Sequence, residues 1–395
     1  MSQSIQISTK KSNESSTGKR TQTSTELNFA NGWSQQRWDD LATPLKQVDD
    51  AAVQRALQKD RLSIDDFAAL ISPQAQPYLE QMAEKAQRLT RQRFGHVIQS
   101  YAPLYLSNVC SNWCSYCGFS IHNKLRRKTL DNNEIDAEAE ALKKRGFDSV
   151  LLVTGEAEKT VGIDYLSNAV KRLKPKFSQL AIEVQPLTTE EYGVLRKQGV
   201  ESLSLYQETY NPASYAEHHR HGKKQDMVYR LNAPERAADA DFLKINLGIL
   251  IGLTDWRQDS LACALHLRHL QKKYWTARFG MSFPRLRPCA GELENPLHIS
   301  DRELLQLILA WRLFDAELDL GLSTREAPEF RNGIARLGIT SMSAESITQP
   351  GGYAEDAATA LEQFEVSDER KLDDIKANLE QQGLMLIATD SHYFS

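Results

Sequence analysis

Cysteine is scarce in this chain, five residues in 395, and an odd count rules out a fully paired disulfide framework. No apolar run approaches the roughly 18–20 residues that cross a bilayer, so no membrane association is expected. An excess of basic charge is missing too. Forty-eight Lys and Arg stand against 52 Asp and Glu, a net charge of −4, which leaves no electrostatic footprint for nucleic acid. The first 28 residues hold twelve Ser or Thr and almost nothing large and apolar. They lack the roughly 7–15-residue apolar core of a secretory signal and the amphipathic, Arg-rich pattern of a transit peptide. Such a segment cannot offset its ordering entropy, and residues 1–30 are read as a disordered tail. A reducing, cytoplasmic setting fits the cysteine usage.

What is present begins with helical periodicity. Residues 31–98 read as a helical extension. Ser63 and Asp66 resemble a capping box, and residues 78–93 form one amphipathic helix with a basic end. After Phe94, short apolar runs alternate with amphipathic stretches. The runs are Leu104–Val109, Ser149–Thr154, Leu180–Gln185, Ser202–Tyr206, Lys244–Ile251, Met281–Leu286, Leu318–Ser323 and Ile339–Ser343. Between them lie helical segments at 134–145, 163–174, 225–240, 258–273 and 301–315. This alternation predicts right-handed βαβ units and an α/β fold, a (β/α)8 TIM-type barrel over residues 99–347. A doubly wound open sheet is the alternative that strand counting leaves open. Residues 348–395 form a C-terminal extension.

The ends of these strands are unusually polar. The first runs into Ser107, Asn108 and Cys110, the second into Thr154, Gly155 and Glu156. Glu183 and Gln185 end the third, and Gln207, Glu208 and Thr209 the fourth. Arg285 and Arg287, then Thr324, Arg325 and Glu326, then Ser343, Glu345 and Ser346 follow at the sixth to eighth. Residues that end barrel strands share one mouth, where barrel enzymes place their chemistry.

Three cysteines crowd into eight residues, Cys110-x3-Cys114-x2-Cys117, directly after the first strand. Thiolates so closely spaced suit an iron–sulfur cluster or zinc. His122 could complete a Cys3His zinc site, which would make the segment structural. Polar Ser111, Asn112 and Ser115 between the cysteines argue against three buried structural thiols. Cys263 lies in a predicted helix and reads as core. The His218–His219–Arg220–His221 run and Lys223–Lys224 invite a metal or phosphate reading, but on a loop they are expected to be solvated.

Cys-x3-Cys-x2-Cys with an aromatic residue, Tyr116, before the last cysteine resembles the signature of the radical S-adenosylmethionine superfamily. Longer stretches are similar to one family within it, the tyrosine lyases of thiamine thiazole biosynthesis, or 2-iminoacetate synthases. They include QRLTRQRFG (87–95), PLYLSNVCSNWCSYCGFS (103–120), KTLD (128–131), LLVTGE (151–156), EVQPL (183–187), YQETY (206–210), GKKQD (222–226), SFPRLRP (282–288), LSTRE (322–326) and QPGGY (349–353).

The resemblance implies a [4Fe–4S] cluster on Cys110, Cys114 and Cys117. One iron would be left for the methionyl group of S-adenosylmethionine, and the radical chemistry belongs to that cofactor. It implies cleavage of the Cα–Cβ bond of L-tyrosine to p-cresol and 2-iminoacetate (dehydroglycine). The implied partners are thiazole synthase, its thiocarboxylated sulfur-carrier protein, and a one-electron reductant such as flavodoxin or ferredoxin. Gly155 and Glu156 would meet the methionyl ammonium, Glu183 and Gln207 the ribose or the substrate amine, and Tyr116 the adenine. Arg325 and Tyr105 are the candidate catalytic residues, with Arg325 on the substrate carboxylate. The related tyrosine lyases of [FeFe]-hydrogenase maturation carry a second cysteine cluster near the C-terminus. No cysteine follows Cys289 here, which favours the thiazole role. Tryptophan-cleaving and deazaflavin-forming relatives fit the long agreement less well. The ending QGLMLIATDSHYFS (382–395) departs from the Trp- and Asp-containing segment usual in the family.

Overall fold

In the computed structural model, described here for residues 28–290, 296–354 and 363–389, eight parallel strands close into a barrel. They are β1 (Val97–Ser107), β2 (Ser149–Thr154), β3 (Gln179–Glu183), β4 (Ser202–Ser204), β5 (Lys244–Gly248), β6 (Arg278–Ser282), β7 (Asp319–Leu322) and β8 (Ser341–Ser343). Closure is made by β8 against β1, with Gln99 opposite Ser341 and Tyr101 opposite Ser343. That closing pair excludes the open doubly wound sheet. β1 starts earlier than the apolar run suggests and crosses the expected boundary at residue 98, because Val97–Gln99 also pair with a strand outside the barrel, Met385–Ile387.

The helices start where polar side chains can satisfy free N–H groups. Ser63 and Asp66 form the expected capping box, and further boxes open the helices at Asn132–Lys144, Thr189–Lys197 and Asp301–Phe314. Helix Leu79–Phe94 stops at Gly95, whose φ of +65° favours glycine. The single helix expected over 225–240 is two, Met227–Leu231 and Ala233–Asp239, since Pro234 fits only the first turn of the second.

The N-terminal helices pack on the outside of the barrel. Phe67 lies 4.7 Å from Trp311 and 4.8 Å from Phe314, ring centre to ring centre. Phe29 and Ala30, assigned to the tail, are ordered: Phe29 stacks on His266 at 4.4 Å and Ala30 is buried. The rest of the expected tail, residues 1–27, lies outside the described residues. At the C-terminal end, Tyr353 of the QPGGY stretch donates its hydroxyl to Pro103 O at 2.9 Å and its N–H to Glu138. Asp368 is fully buried against Arg331, also fully buried, and against Arg370 at 2.6 Å. These bonds bring Gln363 and Phe364 over the barrel mouth, where both line its cavity.

Removing one partner of a buried pair strands the other charge. Arg331→Met should therefore lower stability by about 3 kcal/mol, Arg370 limiting the loss. The drop should appear as an earlier midpoint in urea unfolding, and Arg331→Lys should recover part of it.

Candidate active site

The long connection after β1 carries the three cysteines, and several contacts hold it to the barrel. Arg127 reaches back under it, donating to Asn108 O and Phe119 O at 2.8 Å each and to Ser120 O at 2.7 Å. Asn123 donates to Cys117 O at 3.1 Å and Gly118 O at 3.0 Å. Cys114 sits in a two-stranded ribbon, Trp113–Cys114 against His219–His221. Gly155, at the end of β2, must be glycine: a Cβ there would stand 2.3 Å from Val109 O. Ser111 donates its N–H to Glu156 O at 2.9 Å.

Cys110, Cys114 and Cys117 open into one cavity at the barrel mouth, together with Tyr116, Gly155, Glu156, Glu183 and Arg325. Tyr105 lines an adjoining cavity, which shares Glu183, Tyr206 and Arg325 with the first. Gln207 is not brought in. Tyr206 and Glu208 on either side of it face the mouth, and the Gln207 amide nitrogen is buried without a partner among the described residues. His122 stays outside as well, against Trp113 at 3.8 Å on the exposed side of the loop. A Cys3His zinc site is therefore not formed.

Among the described residues no three His, Cys, Asp or Glu converge on a single ion. Three thiols around a common cavity without meeting at one point suit a multi-iron cluster better than one tetrahedral metal. Burial pushes all three upward, Cys110 to about 11, so loading a cluster must release their protons. Gln363 Nε2 lies 3.8 Å from Cys117 Sγ, a weak donor to one candidate ligand. Cys263 is core, as expected, 3.8 Å from Met281 Sδ.

The wall of the cavity is a network of buried charges. Arg230 lies 2.9 Å from Glu156 and 3.4 Å from Glu208, and Lys224 lies 2.7 Å from Glu208. Glu156 also accepts from Asn112 Nδ2 of the cysteine loop at 2.7 Å. Burial opposes ionisation of Glu156, but Arg230 and Lys224 outweigh it and hold its carboxyl below the usual range. Arg230 carries no spacing that would reveal it in the sequence. The expectation of a solvated 218–224 run is corrected in part, because His218, His219 and the Lys224 side chain are buried. His219 Nδ1 donates to Tyr215 O at 2.7 Å, which leaves Nε2 to accept from the Tyr116 hydroxyl at 2.7 Å.

Across the cavity the arginines differ. Arg285 and Arg287 share Glu326. Arg325 has no carboxylate within ion-pair distance among the described residues. It rests against the Phe364 ring and donates to Arg285 O at 3.2 Å. In the same cavity, burial pushes Glu183 up to about 7, while Arg325 pulls the other way.

Two proteins named 2-iminoacetate synthase, from Escherichia coli and Salmonella typhimurium, are each 48% identical to this chain over 363 residues, covering 92% of it and 96% of their own length. The chain belongs to the 2-iminoacetate synthase family. Residues 104–263 match the radical SAM superfamily, and residues 282–385 match the biotin and thiamin synthesis associated domain. The solved structure of HydG, a maturase of the [FeFe]-hydrogenase, superposes with a TM-score of 0.87 at 29% identity, over 92% of this chain and 82% of that one. Methylornithine synthase shares the fold, with a TM-score of 0.69 at 20% identity over 85% of this chain and 97% of that one. In this radical SAM synthase family member, the cysteine loop matched above is the one that follows β1.

A carboxyl with a raised pKa is protonated below that value and releases its proton when a cation binds beside it. A cationic ligand entering at pH 6 should thus release close to one proton from Glu183, and much less at pH 8.5. Titration calorimetry in buffers of different ionisation enthalpy measures this directly. Glu183→Gln should abolish the buffer dependence.

Proposed function

We propose that this chain cleaves the Cα–Cβ bond of L-tyrosine to 2-iminoacetate and p-cresol, for the thiazole of thiamine, at the expense of S-adenosylmethionine. The carrying observation is that one cavity holds three cysteine thiols together with Arg325 and Glu183. Cys110, Cys114 and Cys117 would hold the [4Fe–4S] cluster. When bound, the cluster and S-adenosylmethionine supply a 5′-deoxyadenosyl radical.

The protein's own residues bind and orient. Glu156, kept ionised, suits the methionyl ammonium beside Gly155, where the backbone packs closely. Tyr116, fixed through His219, would border the adenine. Arg325 takes the tyrosine carboxylate with its planar fork, and Glu183 takes the ammonium or the ribose. Tyr105 donates to Gln363 Oε1 at 2.8 Å and lines the side cavity, which would receive the aromatic ring. Burial pushes its pKa up, so it remains a neutral phenol. Thiazole synthase and its thiocarboxylated carrier protein are the downstream partners, and flavodoxin or ferredoxin the reductant. No described helix is long and apolar enough to cross a membrane, which is consistent with a cytoplasmic setting.

Reconstituted protein incubated anaerobically with S-adenosylmethionine, reductant and L-tyrosine should yield p-cresol and 5′-deoxyadenosine together. Deoxyadenosine without p-cresol would assign another substrate. Alanine at any one of Cys110, Cys114 or Cys117 should abolish cofactor cleavage, whereas Cys263→Ala should leave the cluster spectrum intact.

Arg325→Ala should weaken productive tyrosine binding by about 2–4 kcal/mol while uncoupled cofactor cleavage persists. Arg325→Lys should also be impaired, since an ammonium lacks the fork. Comparing p-cresol with deoxyadenosine yields across these variants provides the measurement. Lost cofactor binding with unchanged tyrosine kinetics would move Arg325 to the cofactor side.

A further inference from the structure

A short chain of side chains joins the side cavity to the cysteine loop. Tyr105, buried on β1, lines the side cavity and donates its hydroxyl to Gln363 Oε1 at 2.8 Å. The other end of the same amide faces the loop, with Gln363 Nε2 3.8 Å from Cys117 Sγ. The two contacts fix each other. A ligating thiolate can only accept, so the amide nitrogen must face it, and the amide oxygen is then turned to Tyr105. Turning the amide over would set its oxygen against the sulfur.

The backbone of Gln363 is anchored independently of this amide. Its N–H donates to Thr348 O at 3.0 Å, and its carbonyl accepts from the N–H of Gly118, the residue after Cys117, at 3.1 Å. The next residue, Phe364, carries Arg325 against its ring. Two consecutive residues thus touch a candidate cluster ligand and the candidate receptor of the substrate carboxylate. An N–H dipole aimed at a ligating sulfur stabilises an added electron, so it favours the reduced cluster. Solvent entering the side cavity would compete for the Tyr105 hydroxyl. A ring that fills the cavity excludes that solvent, and a hydrogen bond in a drier site is stronger.

We propose that Gln363 is a positioning residue for the cluster, and that the relay Tyr105–Gln363–Cys117 couples occupancy of the tyrosine site to cluster reduction. The inference rests on the radical-enzyme reading above. With the side cavity filled, Tyr105 holds the amide oxygen and so keeps the amide N–H on the sulfur. Reduction becomes easier once the substrate is in place, and by linkage the reduced protein binds tyrosine more tightly. The electron comes from the one-electron reductant. No proton leaves the relay, in which Tyr105 stays a neutral phenol and Gln363 a neutral amide.

The test is an equilibrium redox titration of the reconstituted full chain, followed by electron paramagnetic resonance of the reduced cluster, with and without L-tyrosine. Gln363→Met keeps the length of the side chain and the backbone bonds but loses the donor. At a fixed potential its oxidised-to-reduced ratio should rise about tenfold, a midpoint about 59 mV lower for one electron. Gln363→Glu at pH 8.5 should fall at least as far, since an oxygen replaces the N–H. L-Tyrosine should raise the wild-type midpoint, and equilibrium dialysis should find it bound about fivefold more tightly to reduced than to oxidised protein. Tyr105→Phe and Gln363→Met should each lose that difference. Should Gln363→Met not take up iron, Gln363→Glu and Tyr105→Phe carry the same test.

A wild-type midpoint in the Gln363 variants overturns the proposal, whatever their stability, because a purely structural Gln363 would move the unfolding midpoint alone. So does a tyrosine-dependent shift that survives Tyr105→Phe. Wild-type protein that shows no four-iron spectrum overturns the radical-enzyme reading itself, and a loaded protein that binds no tyrosine overturns the substrate assignment. Both results are distinct from a failure of the relay.

Discussion

The barrel mouth depends on the mutual neutralisation of four buried charges, Glu156, Glu208, Lys224 and Arg230. Burying any one of these charges without a partner would cost several kcal/mol. Together they tie the end of β2, the end of β4, the loop after the ribbon and helix Met227–Leu231. Asn112 extends the network into the cysteine loop, since it donates to Glu156 and accepts from the Lys224 N–H at 3.1 Å. The placement of the thiols is thus an electrostatic outcome as much as a packing one. Glu208 even adopts a φ of +72°, a strained value for a non-glycine residue, in order to take part.

Cavity chemistry divides along the same line. On the side of the network every charge is matched, and the polar groups are fixed. Elsewhere in the cavity Arg325 has only an aromatic ring and a carbonyl against it among the described residues, and burial raises the pKa of Glu183 to about 7. An amino acid's two charged ends would complete that unmatched pair. Under the reading proposed above, the matched half would hold a cofactor and the electrostatically unfinished half a zwitterion.

Much of this was legible in the sequence. All eight barrel strands show as apolar runs, and the three clustered cysteines mark the loop that carries them. Boundaries were less legible. β1 extends back to Val97 because a C-terminal strand pairs with it, a long-range contact with no local signal. Glu156, Glu183 and Arg325 could be found because they end strands of a barrel with a common mouth. Arg230 could not, since its partner Glu156 is 74 residues away and helix Met227–Leu231 looks like any other short helix. Gln207 illustrates the opposite difficulty. At the end of β4, period-two alternation puts Tyr206 and Glu208 toward the cavity and Gln207 away from it.

The pairing of Met385–Ile387 with the start of β1 has a bearing on how the chain reaches this state. Ser100 Oγ donates to Ile387 O across 287 residues of sequence. On the ribosome β1 emerges early and must wait for both β8 and this last strand before either of its edges is fully occupied. Until then it presents an open, apolar template for mispairing, and closure carries the loop entropy of 287 residues. Pairings this distant in sequence make slow closure the expected kinetic regime for the molecule.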